Sequence, residues 1–262
     1  MIRLIINPTF NCGFDCIFCY AKNEQNKYDK MLLDIDNISE VFKNYDIKEV
    51  CISGGEPTTC NIDYMILLIK KINENYSGTI DFETNFHKPE YCESLQKIFS
   101  NVNIVIGYDF AARPYANEVW NNMYEYPNKF DVKITATHLV IKNYHPNLIL
   151  KKFSLLRNIN SYEVVRYMRN LGNQWNIETE LFEKFVKLFN ESQINCSAKF
   201  KNKEKVLNNT YLYRDLFLNP DGLLTVQKAG NIVENVPFVG EIPALDEQFR
   251  TYTDNLVNLF KG

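Results

Sequence analysis

The segment NCGFDCIFCY, residues 11–20, places Cys12, Cys16 and Cys19 in a C-x3-C-x2-C pattern near the start of the chain. The apolar segment IRLII, residues 2–6, precedes it and is typical of a buried strand. The cysteines are therefore predicted on a loop that directly follows a strand. Three thiols this close together are metal ligands, a disulfide with one spare thiol, or a coincidence.

Composition and charge narrow these choices. The chain has 262 residues, seven cysteines, and 29 basic against 32 acidic side chains. The first ten residues lack the apolar run of a signal peptide, and no 18-residue apolar segment follows, so no membrane contact is expected. A cytoplasmic location keeps the cysteines as thiols, which argues against disulfides. The nearly balanced charge predicts no nucleic-acid partner.

Strands and helices alternate along most of the sequence. Because this order is typical of parallel βαβ units, the predicted fold class is α/β. About six units fit before residue 200, too few for a closed eight-stranded barrel, so residues 1–200 are predicted to form a partial (β/α)6 barrel. The predicted strands are 2–6, 49–53, 79–84, 103–108, 133–141 and 162–168.

The C-terminal part, residues 201–262, differs in character. TYLYRDLFL and LLTVQ flank Asn219-Pro220-Asp221-Gly222, which has proline and glycine at the positions that favour a type I turn. This predicts a β-hairpin, interpreted as an extension packed on the barrel. The lysine-rich segment KFKNKEK, residues 199–205, is interpreted as a solvated connection.

The cysteine spacing favours an iron–sulfur cluster. Thiolates at such short spacings can converge on three corners of one cluster. Structural zinc normally has four ligands, and no second C-x2-C or H-x3-H pair follows in the chain. Zinc and coincidence nevertheless remain alternatives on spacing alone.

The segment CGFDCIFC, with aromatic Phe18 just before the third cysteine, resembles the C-x3-C-x-aromatic-C signature of the radical S-adenosylmethionine (SAM) superfamily. The resemblance implies that Cys12, Cys16 and Cys19 hold three irons of a [4Fe-4S] cluster, while SAM chelates the fourth. It also implies an enzyme that reductively cleaves SAM to a 5′-deoxyadenosyl radical, which abstracts a hydrogen atom from the substrate. The electron would come from an external reductant such as flavodoxin or ferredoxin.

A second motif is SGGEP at residues 53–57. Its last four residues, 54–57, are identical to the GGEP motif of this family. Gly54 and Gly55 would let the backbone approach a ligand closely, and Glu56 would bring a carboxylate to the methionyl ammonium of SAM. Pro57 biases Glu56 toward an extended conformation. For the glycine pair alone, an ordinary βα turn is the alternative.

The segment ETNF, residues 83–86, resembles a TNG-like segment that contacts SAM in relatives. Thr84 and Asn85 are therefore candidate SAM ligands. Phe86 replaces the usual glycine, which leaves the local backbone geometry an open question.

Three further residues are candidates for contact with SAM or substrate, each with an ordinary structural alternative. Asp109, after the fourth strand, could instead begin a helix as its N-cap. His138, in the fifth strand, could be a core histidine. Arg166, at the end of the sixth strand, could form a surface ion pair instead of neutralising a carboxylate or phosphate.

The tail is similar to the start of a SPASM or twitch extension, which carries auxiliary clusters in larger relatives. Gln227 and Lys228, however, stand where a cysteine would be expected, and Cys196 is the last cysteine in the chain. The sequence therefore predicts a single cluster, and Cys51, Cys60 and Cys92 are expected to be free thiols.

The resemblance leaves the substrate open between a peptide and a small molecule. The SPASM-like tail favours modification of a ribosomally made peptide. A viperin-like enzyme that acts on a nucleotide is the alternative within the family. Outside it, the alternative is a non-catalytic metal-binding scaffold or sensor.

Overall fold

The computed structural model describes residues 2–16, 19, 21–25, 27–108, 114–129, 134–140, 146–156, 159, 161–166, 178–191, 199–200, 214–227 and 233–236. Its strands are β1 (Ile2–Ile6), β2 (Ile47–Ile52), β3 (Ile80–Thr84), β4 (Val102–Tyr108), β5 (Ile134–Val140), β6 (Ser161–Arg166), β7 (Lys199–Phe200), β8 (Arg214–Leu218), β9 (Leu224–Gln227) and β10 (Val233–Val236). Its helices are α1 (Lys22–Gln25), α2 (Asn37–Asn44), α3 (Ile62–Asn73), α4 (Pro89–Ile98), α5 (Ala116–Lys129), α6 (Pro146–Phe153) and α7 (Thr179–Glu191), and a 3₁₀ turn spans Pro57–Thr59.

These strands form one sheet in the order β10-β9-β8-β1-β2-β3-β4-β5-β6-β7. All neighbours from β8 through β1 to β7 are parallel, and only the pairs within β8, β9 and β10 are antiparallel. Strands β1 to β7 follow one another in chain order, as in a (β/α) barrel. The predicted partial barrel, with its six N-terminal strands, is confirmed.

The core lies between the sheet and its helices. Alternate residues of β1 to β4 are almost completely buried and belong to one cluster with apolar residues of α2 to α5. Because side chains alternate across a strand, the residues between them lie on the opposite face, here called the inner face. The buried strand residues are Leu4, Ile6, Val50, Ile52, Ile80, Phe82, Ile104 and Ile106.

The predicted C-terminal hairpin is present. Strands β8 and β9 are antiparallel, and the Gly222 N–H donates a hydrogen bond to the Asn219 carbonyl at 2.9 Å. Gly222 has a φ of +78°, a conformation that glycine adopts without strain.

The hairpin, which the sequence predicted as an extension packed on the barrel, joins the sheet of the barrel. Strand β8 pairs in parallel with β1, from Ile2 opposite Arg214 to Ile6 opposite Leu218, so the hairpin continues the sheet. The guanidinium of Arg3 donates two hydrogen bonds of 2.7 Å to the carboxylate of Asp215 across this junction. The pairing satisfies backbone groups that an edge strand would leave exposed.

The start of the lysine-rich segment is also more ordered than expected. Lys199 and Phe200 form β7, which pairs with Ser161 and Tyr162 of β6. The interpretation of residues 199–205 as a solvated connection is therefore wrong for these two residues, because β6 offers an unpaired edge. Residues 201–205 lie outside the described residues.

Among the described helices, none has both the length and the apolar character that crossing a membrane requires.

Candidate active site

The candidate site lies where β1, β2 and β3 end. Because the strands are parallel, the loop with the cysteines, the segment of residues 53–57 and the segment of residues 84–87 meet at one edge of the sheet.

The cysteine loop carries three thiols of unequal exposure. Cys16 is buried, whereas Cys12 and Cys19 are half-buried. The Phe14 N–H donates to Cys12 Sγ at 3.4 Å, and the Cys19 N–H donates to the Cys16 carbonyl at 3.1 Å. Phe14 packs against the rings of His87 and Tyr115, two contacts that no sequence pattern predicted.

The donor set of this loop fits an iron–sulfur cluster, because thiolates are the usual protein ligands of such clusters. Within the described residues, no three His, Cys, Asp or Glu side chains form a ready metal-binding group. The convergence of the three thiols on one cluster therefore stays a prediction. Phe18 lies outside the described residues.

Gly54 and Gly55 allow a close approach between two backbones. The Gly55 N–H donates to the Thr9 carbonyl at 2.9 Å, and the Glu56 N–H donates to the Asn11 carbonyl at 2.8 Å. A Cβ on Gly55 would lie 2.4 Å from backbone atoms of Phe10 and Asn11. The glycine pair thus joins the cysteine loop to the GGEP segment, and its contact with a ligand remains a prediction.

Gly55→Ala should destabilise the protein by about 3 kcal/mol, the upper part of the range for overpacking, because backbone atoms cannot relax as side chains do. Gly13→Ala is the matched control. Gly13 lies on the cysteine loop that Gly55 contacts, and a Cβ at Gly13 would meet nothing within 4 Å, so the unfolding free energy of the variant should stay within about 0.5 kcal/mol of wild type. Urea unfolding followed by circular dichroism measures both, and equal effects of the two variants would contradict this account.

The carboxylate of Glu56 already has four hydrogen-bond donors. Oε1 accepts from the Thr58 N–H at 3.1 Å and from the Thr58 and Thr84 hydroxyls, both at 2.7 Å. Oε2 accepts from the Asn85 N–H at 2.7 Å. Glu56 is 4% exposed, so its carboxylate connects the GGEP segment to the end of β3. The sequence predicted it as a ligand for the SAM ammonium, and these structural bonds were not foreseen. Pro57, also buried, begins the 3₁₀ turn.

Thr84 and Asn85 shape the turn after β3. The Thr84 hydroxyl accepts from the Phe86 N–H at 3.0 Å, and Asn85 Oδ1 accepts from the His87 N–H at 2.9 Å. Phe86 has a φ of +59°, the left-handed conformation that favours glycine. Its ring is fully buried, and Asn122 Nδ2 donates to its carbonyl at 3.0 Å. Burial therefore holds phenylalanine in the backbone geometry of the glycine it replaces.

For the three remaining candidate residues, His138, Arg166 and Asp109, the structure describes at most the backbone. His138 pairs with Tyr108 and Val164, and Arg166 pairs with Val140. The side chains of His138 and Arg166 are not among the described ones, and Asp109 lies outside the described residues. Contact of these three residues with SAM or substrate stays a prediction.

The other described cysteines are buried. Burial, and then the nearby carboxylates of Glu83 and Asp81, raise the pKa of Cys51 well above its ordinary value. Burial, and then Glu56, raise the pKa of Cys60 to about 12. Both therefore remain neutral thiols at physiological pH, unlike a cluster ligand, which binds as thiolate.

Sequence reasoning missed a row of polar residues at the ends of β1 and β8. Asn7 Nδ2 donates to Asn219 Oδ1 at 3.0 Å, and Asn219 Nδ2 donates to Thr225 Oγ1 at 3.1 Å. All three residues are buried. The available signal was that Asn7 and Asn219 each directly follow an apolar strand.

Parts of the chain are similar in sequence to known proteins. Residues 6–119 match the family model of the radical SAM superfamily. A protein of Saccharolobus islandicus assigned as a GTP 3′,8-cyclase is 41% identical over 56 residues, which are 21% of this chain and 18% of the relative. A protein of Methanocaldococcus jannaschii assigned as a glycyl-radical enzyme activating enzyme is 23% identical over 75% of this chain and 82% of the relative. The matches to the first relatives found are short and cover less than half of the length of each relative.

Solved structures share the fold. The structure of anSMEcpe with bound AdoMet and the Cp18Cys peptide superposes with a TM-score of 0.65 at 14% identity, over 86% of this chain and 73% of that one. AdoMet is S-adenosylmethionine, and that protein therefore binds it on the same fold.

Proposed function

Because residues 6–119 match the family model of the radical SAM superfamily, we propose that the chain reductively cleaves SAM at a [4Fe-4S] cluster and uses hydrogen-atom abstraction to modify a ribosomally made peptide. The observation that carries this proposal is the junction between the two motifs. Backbone hydrogen bonds from Gly55 and Glu56 to Thr9 and Asn11 hold the cysteine loop directly against the GGEP segment.

The cluster and SAM, when bound, supply the one-electron bond cleavage. Cys12, Cys16 and Cys19 would hold the cluster as thiolates. Glu56 keeps the GGEP segment fixed to the end of β3, so that both segments meet SAM as one rigid edge. Thr84 and Asn85 hold the following turn in shape.

The assignment of a peptide substrate draws on two observations. The C-terminal hairpin extends the sheet beside β1, next to the cysteine loop. In addition, anSMEcpe, which shares the fold, was solved with a bound peptide. The proposal also places the enzyme in the cytoplasm, with flavodoxin or ferredoxin as electron donor.

Action on a nucleotide is the second candidate, favoured by the local identity to proteins assigned as GTP 3′,8-cyclases. The two candidates differ in product. Incubation with GTP would yield a cyclised nucleotide in one case, and incubation with a substrate peptide would yield a peptide of changed mass in the other.

Anaerobic reconstitution with iron and sulfide, followed by SAM and dithionite, tests the shared chemistry. We expect 5′-deoxyadenosine, measured by liquid chromatography, and none when dithionite is left out. A protein that binds zinc and forms no 5′-deoxyadenosine would instead be the non-catalytic scaffold or sensor.

A further inference from the structure

A small apolar cluster, separate from the main core, lies next to the cysteine loop. It consists of the buried side chains of Phe10, Ala21 and Tyr28, and Cys19 packs against it. The rings of Phe10 and Tyr28 stack, with their centroids 5.1 Å apart and an angle of 30° between their planes. Cys12 packs against the main core, whereas Cys19 packs against both. We call Phe10, Ala21 and Tyr28 the Cys19 support.

Backbone hydrogen bonds fix the chain between the third cysteine and Tyr28. The Glu24 N–H donates to the Ala21 carbonyl, and the Tyr28 N–H donates to the Glu24 carbonyl, both at 3.0 Å. The Leu33 N–H then donates to the Pro8 carbonyl at 3.0 Å, which returns the segment to the end of β1. Helical spacing thus places Ala21 and Tyr28 on one side of the segment, where both can contact Cys19.

The hydroxyl of Tyr28 connects the Cys19 support to the C-terminal hairpin. It accepts a hydrogen bond from Lys27 Nζ at 2.6 Å and donates one to Asp221 Oδ2 at 3.1 Å. The bond from Lys27 joins neighbours in the sequence, whereas the bond to Asp221 joins residues 193 positions apart. The second bond therefore ties the segment after the cysteines to the turn between β8 and β9.

Asp221 is itself held in place by that turn. Its Oδ1 accepts from the Leu223 N–H at 3.1 Å. The turn packs closely on the start of α2, because a Cβ on Gly222 would lie 2.8 Å from Asn37 Nδ2. One oxygen of the carboxylate thus holds the turn, and the other presents an oriented acceptor to Tyr28.

We propose that Tyr28 and Asp221 are positioning residues for Cys19, which they hold, through the Cys19 support, where it can bind iron. The inference rests on the proposed function, because it takes Cys19 as an iron ligand. Residues that orient a metal ligand without touching the metal commonly change metal affinity about 10–100-fold. The hairpin β8–β9, which carries no cysteine, would then belong to the cluster site.

Alkylation of Cys19 by iodoacetamide in the reduced, metal-free full chain tests the proposal. Tandem mass spectrometry gives separate rates for Cys19 and Cys12, and Cys12 is the internal reference because it is also half-buried. Tyr28→Phe keeps the stacked ring and removes the hydroxyl. Loss of the bond makes local opening of the segment more frequent. Because Asp221 is exposed, water replaces part of the bond, so we expect the Cys19 rate to rise about fivefold and the Cys12 rate less than about twofold.

Asp221→Ser removes the same bond from the other side. A serine hydroxyl can still accept from the Leu223 N–H in the turn, but it is shorter than the carboxylate and does not reach Tyr28. The Cys19 rate should again rise about fivefold. The double variant Tyr28→Phe, Asp221→Ser should show no further increase, because both changes remove one bond.

Tyr76→Phe is the matched control. The Tyr76 hydroxyl donates to the Lys48 carbonyl, also at 3.1 Å, at the end of β2 opposite the site. Its loss should leave the rates of both cysteines at their wild-type values.

The reconstituted protein provides a second measurement. Tyr28→Phe and Asp221→Ser should each lose iron to EDTA about fivefold faster than wild type, because a displaced Cys19 releases the cluster more often. Tyr76→Phe should lose iron at the wild-type rate.

Unchanged Cys19 rates in Tyr28→Phe and Asp221→Ser would overturn the proposal. So would equal increases for Cys12 and Cys19, because these would report general loosening of the fold. Such results beside a wild-type protein that forms 5′-deoxyadenosine would leave the proposed function intact. A wild-type protein that holds no iron, with variants that raise the Cys19 rate alone, would support the positioning of Cys19 and contradict the proposed function.

Discussion

Alanine at Cys12, Cys16 or Cys19 should remove the cluster and, with it, the formation of 5′-deoxyadenosine. Loss of an outer-shell partner of a metal already costs about 10–100-fold in affinity or activity, so loss of a direct ligand should lower turnover by more than about 100-fold. Iron and sulfide assays on anaerobically reconstituted protein, together with chromatography of the products, measure both effects.

Cys92→Ala is the matched control for these variants. Cys92 is fully buried in the core with Leu95 and Phe82, and burial raises the pKa of its thiol well above the ordinary value. This variant should lose some stability and keep its iron. A Cys12→Ala, Cys16→Ala or Cys19→Ala protein with wild-type iron content and turnover would contradict the assignment of the cluster to these residues.

Glu56→Ala should destabilise the protein by about 4 kcal/mol. The change leaves donors of Thr58, Thr84 and Asn85 without an acceptor, and each buried unsatisfied group costs about 1–3 kcal/mol. The donors share one carboxylate, so their costs are not simply additive. Urea unfolding monitored by circular dichroism gives the free energy of unfolding.

Glu56→Gln separates the effect of the lost hydrogen bonds on stability from the effect of the lost side-chain volume. Its amide keeps one acceptor oxygen but places an N–H donor where the other oxygen was, so the expected loss is about 2 kcal/mol. Glu74→Gln, on an exposed carboxylate, should change stability by less than about 0.5 kcal/mol. A Glu56→Ala protein as stable as the Glu74→Gln control would show that the carboxylate does not connect the GGEP segment to β3.

Much of the fold was predictable because it depends on local patterns. Apolar strand segments that alternate with helical spacing identify βα units, and the spacing of the cysteines predicts a loop of metal ligands. The position of β8 was not predictable in the same way. Its pairing with β1 joins residues more than 200 positions apart, and no local signal specifies which edge a distant strand will use.

In the candidate site, too, local sequence patterns predicted some features, and contacts between distant segments decided the others. The sequence analysis named five residues as candidate SAM contacts: Gly54, Gly55, Glu56, Thr84 and Asn85. Their contact with a ligand stays a prediction, and the structure adds that the Thr84 hydroxyl and the Asn85 N–H both donate to the Glu56 carboxylate. The sequence identifies Glu56 as a carboxylate. Whether its oxygens can accept further hydrogen bonds from a ligand depends on the hydrogen-bond donors that the fold places around them.

What the sequence by itself determined was therefore the order of the βα units, the location of the three thiols and the identity of the glycine motif. Each of these follows from residues close together in the chain. The tertiary structure alone decided that Gly55 meets the backbone of the cysteine loop and that Phe86 occupies a left-handed conformation. It also decided that Asn7 Oδ1 has no hydrogen-bond donor within the part of the chain that the structure describes. These facts depend on distances between segments far apart in sequence, which packing of the whole sheet sets.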